Sequence, residues 1–296
     1  MERILQYEIT NEYDGISIND FLLQHGYSRK LITTLKKTEF SIIVNGKWTY
    51  TKERLHQGEL LRVSIIEEHN SQNIIPISMP LDIFYEDEDI LVVNKPSNTP
   101  IHPSQNNYEN TLANGIMYHF KEQGLSCLFR CINRLDRDTT GLTIIAKNML
   151  SSCILSNMMK KREIHREYLA VVNGLIPAYG TITAPIARTF GSTIERCINF
   201  ERGEPAITHF RRLSYKNGYA LVSIKLETGR THQIRVHMKH IGHPLPGDFI
   251  YNPDDTTIGR QALHSHKLSF KHPITKESLN FFAPLPSDMK TIAFQL

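Results

Sequence analysis

The chain predicts an α+β fold: a large domain on a mixed, largely antiparallel sheet, preceded by a small N-terminal α/β domain. Three observations carry this. Across residues 81–296, short apolar runs of strand length are interspersed with helical patterns, without the regular strand–helix alternation of a parallel-sheet protein. Residues 67–80 are polar, end near Pro76 and Pro80, and have the composition of a linker. Residues 13–66 carry helix and hairpin signals of their own.

In this first unit Ile18, Phe21 and Leu22, then Leu31, Ile32 and Leu35, recur at helical spacing, with Gly26 as the break between two short helices. Ser28 is placed to cap the second helix, whose Arg29, Lys30, Lys36 and Lys37 meet no acid until Glu39. The β-formers Ser41-Ile42-Ile43-Val44 run into Asn45-Gly46, a hairpin signal, and a further strand follows at residues 60–63. In the large domain, strands are predicted over 90–94, 142–146, 168–172 and 219–226, and helices over 112–120 and 150–161.

Composition narrows the classes. A chain of 296 residues, 40% hydrophobic and 22% charged, can bury a core without disulfide or metal support. Four cysteines (Cys127, Cys131, Cys153, Cys197) form neither a disulfide framework nor a zinc set, and are read as reduced thiols of a cytoplasmic protein. No apolar run approaches the ~20 residues of a membrane span, and Met1-Glu2-Arg3-Ile4 does not open a signal peptide. A net charge of +4 permits an anionic partner, and nothing in the chain demands more than a monomer.

Two stretches carry chemistry. In Asn133-Arg134-Leu135-Asp136-Arg137-Asp138-Thr139-Thr140-Gly141 a carboxylate sits on a loop at the start of a strand, flanked by two arginines, with Thr139, Thr140 and Gly141 suited to a tight turn. Arginine neighbours favour the charged carboxylate that a nucleophilic or electrostatic role requires. An isolated Arg-Leu-Asp is more often a surface ion pair. In Glu227-Thr228-Gly229-Arg230-Thr231-His232-Gln233-Ile234-Arg235-Val236-His237-Met238 a strand ends and a basic helix is expected from Arg230-Thr231, with Arg235 able to reach a carboxylate across the site. His232, His237, His240 and His243 have neither the spacing nor the accompanying acid of a metal site, so no metal is assigned.

Together these stretches resemble the RNA pseudouridine synthases that act on bacterial large-subunit ribosomal RNA and tRNA. The resemblance runs on through Phe84 to Pro96 with Ile101-His102-Pro103, Arg162 to Ala170, Ile241 to Leu245, Gly247-Asp248 and Ala262-Leu263-His264, in order along the chain. Asn133 stands where the family has histidine, Thr140 where serine is common, and Arg166 precedes Glu167-Tyr168 where lysine is usual. The N-terminal unit resembles the small RNA-binding domain named after ribosomal protein S-four, with Ser17-Ile18-Asn19-Asp20 departing from its usual start. A merely solvated amphipathic helix pair is the plainer alternative for that unit.

The resemblance implies isomerisation of specific uridines in structured RNA without a cofactor, ribosomal RNA being favoured and tRNA the alternative. No phosphate loop or dinucleotide fingerprint is present. It further implies Asp136 as nucleophile or base, Arg235 as its ionic partner, and Tyr168 against the target base. Arg134 would fill the space of the displaced uridine. Lys95, Arg137 and Arg230 are candidate phosphate contacts, with Arg29, Lys30, Lys36 and Lys37 as the N-terminal unit's RNA surface. Two other readings compete: a non-catalytic RNA-binding or ribosome assembly factor, and a metal-dependent nuclease using Asp136, Asp138 and the histidines.

Overall fold

A computed structural model describes residues 2–67, 74–105 and 107–294. The N-terminal unit opens with strand β1 (Glu2–Glu8), followed by helices α1 (Ile18–Gln24) and α2 (Arg29–Lys37), the hairpin strands β2 (Ile42–Val44) and β3 (Lys47–Trp48), and β4 (Leu60–Ile66). Its sheet has the order β1-β4-β2-β3, with β1 antiparallel to β4 over its whole length. Ser28 caps α2 by accepting from Leu31 N at 3.2 Å, as its position predicts. Asn45 and Gly46 both take positive φ, the geometry of the tight turn that Asn-Gly favours. The sheet takes in residues 2–8, ahead of the expected start at 13, and the expected linker over 67–80 falls partly on 68–73, outside the described residues.

The large domain runs β5 (Asp82–Glu86), β6 (Ile90–Lys95), α3 (Leu112–Glu122), β7 (Thr140–Ala146), α4 (Met149–Lys160), β8 (His165–Asn173) and β9 (Tyr179–Thr183). It continues through the small hairpin β10 (Ile186–Arg188) and β11 (Arg196–Ile198), then β12 (Ile207–Lys216), β13 (Tyr219–Leu226), α5 (Gln233–His240), β14 (Leu263–Lys271), β15 (Ser278–Phe282) and α6 (Ser287–Phe294). Nine strands form one sheet in the order β5-β6-β7-β14-β8-β13-β12-β9, with β15 added beside β14. Among the described residues only β7 and β14 pair in parallel, so the mixed, largely antiparallel α+β architecture is the one the sequence predicts.

The two units share one core. Leu5, Phe21 and Leu31 of the first lie in the same apolar cluster as Val92, Ile144 and Ile154 of the second. Polar ties flank it: Arg3 holds Asp89 with two hydrogen bonds of 3.1 and 2.9 Å, and Glu67 accepts from Arg130 at 2.6 Å and from Met149 N at 2.7 Å. Among the described residues all four cysteines are free thiols, and no helix is long and apolar enough to cross a membrane.

Candidate active site

The site begins with the loop that delivers Asp136. Asn133, buried to 1% exposure, anchors its upstream end by donating to Leu142 O at 3.0 Å and accepting from Ile144 N at 2.8 Å. An asparagine amide offers one donor and one acceptor to the same strand β7, which is what an inward-facing anchor needs. Burial keeps this side chain from RNA. Downstream, Thr139 N closes a turn onto Asp136 O at 3.2 Å, and Thr139 Oγ1 accepts from Gln261 Nε2 at 3.2 Å. Thr140 Oγ1 bonds His264 Nδ1 at 2.8 Å. His264 Nε2 faces Ala283 O at 3.3 Å, so Nε2 carries the proton and Nδ1 accepts from the threonine. Burial pushes this imidazole down to about 4, consistent with the neutral form. Gly141 has φ +113, and a Cβ there would overlap the Ser265 backbone. The strand therefore passes β14 at a distance only glycine permits.

Lys95 is the loop's floor and corrects an expectation. Its side chain was expected to reach phosphate; instead it is fully buried, with Nζ donating to Pro96 O, Thr99 O and Arg137 O at 2.8, 2.9 and 2.8 Å. All three donors of an ammonium are thereby used on the backbone beside Asp136. Burial pushes Lys95 down to about 7, opposed by the nearby Asp138 and Asp136 carboxylates.

Arg235 approaches from α5, exposed by only 2%. Its Nη1 donates to Asp136 Oδ2 at 3.0 Å, while Nε and Nη2 grip Asp248 at 2.6 and 2.7 Å. Asp248 is itself fully buried and accepts from Ile250 N and Tyr251 N, each at 3.1 Å. Burial works against the Arg235 charge, but Asp248 and Asp136 more than offset it and hold the guanidinium above its ordinary range. The ring of Tyr251 lies beneath the guanidinium at 5.0 Å, adding a cation–π contact.

The helix expected from Arg230 starts later, at Gln233, because His232 adopts a left-handed conformation (φ 57). Gln233 staples the turn: Oε1 accepts from Thr228 Oγ1 and Arg230 N, each at 2.9 Å, and Nε2 donates to Ile207 O at 3.0 Å. That turn aims His232 at the site. Its Nδ1 bonds Tyr251 Oη at 2.9 Å, and its Nε2 stands 3.9 Å from Asp136 Oδ2. Tyr251 Oη accepts from Arg196 N at 2.9 Å and keeps its hydroxyl proton to give to Nδ1; in that tautomer the imidazole proton sits on the face toward Asp136. Burial lowers the His232 pKa.

Tyr168, on β8, is brought in by strand register. Gly141 pairs with Ser265, Ser265 with Tyr168, and Tyr168 with Ile224, one row across four strands. Asp136, Tyr168 and Arg235 thus line one cleft together with Arg134, Arg230 and His232. Arg134 is exposed at its mouth. Arg230 is partly held by an ion pair with Glu204 and by Pro205 O at 3.2 Å, and Arg137 by Asp138 at 2.8 Å. Arg29, Lys30, Lys36 and Lys37 are exposed on α2, in the other unit. His237 and His243 bond backbone carbonyls at 2.9 and 2.8 Å, and among the described residues His232 is the imidazole within 4 Å of Asp136.

Asp248, Tyr251 and His232 are participants that residue patterns did not single out for these roles. Gly247-Asp248 was visible only as a matching dipeptide, and no local periodicity ties it to Arg235 across 13 residues.

A family model described as RNA pseudouridylate synthase matches residues 89–240. The uncharacterized RNA pseudouridine synthase YjbO of Bacillus subtilis is 41% identical over 94% of this chain and 98% of its own. The ribosomal large subunit pseudouridine synthase D of Neisseria meningitidis serogroup A is 37% identical over 89% of this chain and 73% of its own. Among solved structures, human RNA pseudouridylate synthase domain containing 1 superposes with a TM-score of 0.58 at 29% identity, over 69% of this chain and 83% of that one.

Proposed function

The chain belongs to the RNA pseudouridine synthase family, and from that membership we propose that it modifies uridines of structured ribosomal RNA, with Asp136 opening the reaction. Isomerisation of uridine to pseudouridine in RNA is the activity. The bond from ribose C1′ to uracil N1 breaks, the base turns, and C1′ is rejoined to C5, whose proton is lost while N1 gains one. Atoms and charge balance without a redox partner.

The observation that carries the assignment of Asp136 is the Arg235 fork. One guanidinium, immobilised by two bonds to a buried carboxylate, presents its remaining edge to a second carboxylate that stays open to the cleft. That arrangement orients Asp136 and keeps its charge compensated before substrate arrives. Asp136 then acts on the sugar or on the uracil ring, Tyr168 packs on the base, and Tyr168 or His232 offers a route for proton transfer. A uridine must leave its stack to reach this cleft, at about a few kcal/mol unless it lies in a loop. Exposed Arg134 at the cleft mouth is suited to stack in the vacated space.

Ribosomal RNA is favoured because relatives named as large-subunit synthases align over most of the chain, and because α2 offers Arg29, Lys30, Lys36 and Lys37 to a phosphate backbone. Arg137 and Arg230 would add contacts at the cleft. The cytoplasm is the compartment we assign, since four free thiols suit a reducing environment. Transcriptome-wide pseudouridine mapping with and without the protein tests this reading: loss of one or a few ribosomal sites is expected. Loss confined to tRNA would overturn the choice of substrate.

A further inference from the structure

The N-terminal unit carries a feature that the uridine chemistry does not use. Phe40, Trp48 and Tyr50 are 62%, 43% and 60% exposed and adjoin one another in tilted contacts, with ring centroids 5.7 Å apart and planes at 44° between Phe40 and Trp48, and 5.3 Å and 46° between Trp48 and Tyr50. Trp48 and Tyr50 line a cleft together with buried Leu35, Ile42 and Thr51 and exposed Lys36 and Lys52, and among the described residues no carboxylate lines it. The floor is stiff: Ser41 Oγ donates to Leu35 O at 2.6 Å, and Thr49 N to Ile42 O at 3.1 Å.

Two further observations single out this face. Phe40 holds φ 55, a left-handed conformation that a bulky side chain rarely adopts and that glycine or asparagine would take without strain. The ring held at this position faces solvent rather than a core. Charge is also segregated. Residues 29–52 contain six Lys and Arg against the single acid Glu39, whereas the rest of 2–67 contains three against eight acids. Contiguous aromatic faces beside lysines match a polyanion that carries exposed π-surfaces.

We propose that Phe40, Trp48 and Tyr50 form a stacking platform for unpaired bases of the RNA substrate, with Lys36 and Lys52 contacting the adjoining phosphates. The inference rests on RNA being the substrate. It assigns the N-terminal unit a preference for single-stranded segments, set by stacking, beyond the general attraction of a basic helix.

Trp48 is the single tryptophan of the chain, so its fluorescence reports on this site alone. In the full-length protein, a short unstructured RNA should quench Trp48 saturably, and a blunt RNA duplex of equal phosphate number should not. Phe40→Asn removes the ring while suiting the left-handed backbone, so the fold is kept. It and Tyr50→Ala should each weaken single-strand binding about 5- to 100-fold. Lys36→Gln and Lys52→Gln should each flatten the log–log salt dependence by about 0.7. Absent quenching, equal quenching by the duplex, or unchanged affinity in both aromatic variants would overturn the proposal. So would an emission shift that tracks protein concentration without RNA, which would mean that a second copy covers the face. Quenching needs no turnover. An Asp136→Asn protein should show it in full, so failure here and failure of the catalytic reading are separable.

Discussion

Arg235 Nη1 donates to Asp136 Oδ2 at 3.0 Å across 99 residues of sequence, from a guanidinium whose opposite edge is locked onto Asp248. The relationship is directional, because only a planar fork can hold two carboxylates at fixed angles. Lysine would supply the charge but not the geometry. Arg235→Lys is expected to lower kcat about 100-fold, the scale of a misplacement of about 1 Å, with binding of RNA little changed. Arg235→Ala should in addition destabilise the fold by about 3–5 kcal/mol, because Asp248 is left charged and fully buried. Urea unfolding and single-turnover kinetics on the same preparations separate the two effects.

Gly141 makes a second, independent test of the loop. A Cβ at this position meets the Ser265 backbone, and φ +113 is foreign to L side chains. Gly141→Ala should cost about 1–3 kcal/mol and move the row that joins Gly141 to Tyr168 through Ser265. A melting temperature equal to that of the parent would contradict this.

The shared core predicts that the two units unfold together. One denaturant transition is expected, seen equally by Trp48 fluorescence in the first unit and by far-UV circular dichroism of the whole. Arg3→Ala should shift that single transition by about 1.5–3 kcal/mol, since Asp89 loses two charge-assisted bonds but keeps Asn148 and Ser151. Two separated transitions would mean that the units are only loosely joined.

Lys95 gives a pH dependence with a definite sign. Its pKa in the folded protein, about 7, lies below the ordinary 10.5, so between these values the unfolded chain binds more protons. Its contribution to stability therefore rises with pH across that window, and the full cost of charging it is present below about 7. The melting temperature of the parent, minus that of Lys95→Met, should increase from pH 6.5 to pH 9. A flat or falling difference would mean that the three carbonyls hold the ammonium charged throughout.

How much of this was legible follows from what each residue's neighbours reveal. Hairpin and helix signals such as Asn45-Gly46 and Ser28 are local, and they appear where expected. The strand β1 gives no such signal, because Leu5 is its only buried residue and the apolar alternation is nearly lost. Its place comes from pairing with β4, more than fifty residues on. At the site, Asp136, Tyr168 and Arg235 stood out through motifs, yet their meeting depends on a four-strand register and a helix that no local pattern specifies. Lys95 was misread for the converse reason. Lysine at a strand end ordinarily reaches water, and only the folded loop supplies the three carbonyls that make burial tolerable.

Asp136 remains the hinge of the account. Pseudouridine formation by Asp136→Asn, measured by carbodiimide-based mapping on ribosomal RNA with fold and RNA affinity checked in parallel, tests it most directly. The expected result is a loss of at least about a hundredfold with affinity retained. Activity within about tenfold of the parent, about 1.4 kcal/mol of barrier, would contradict the assignment.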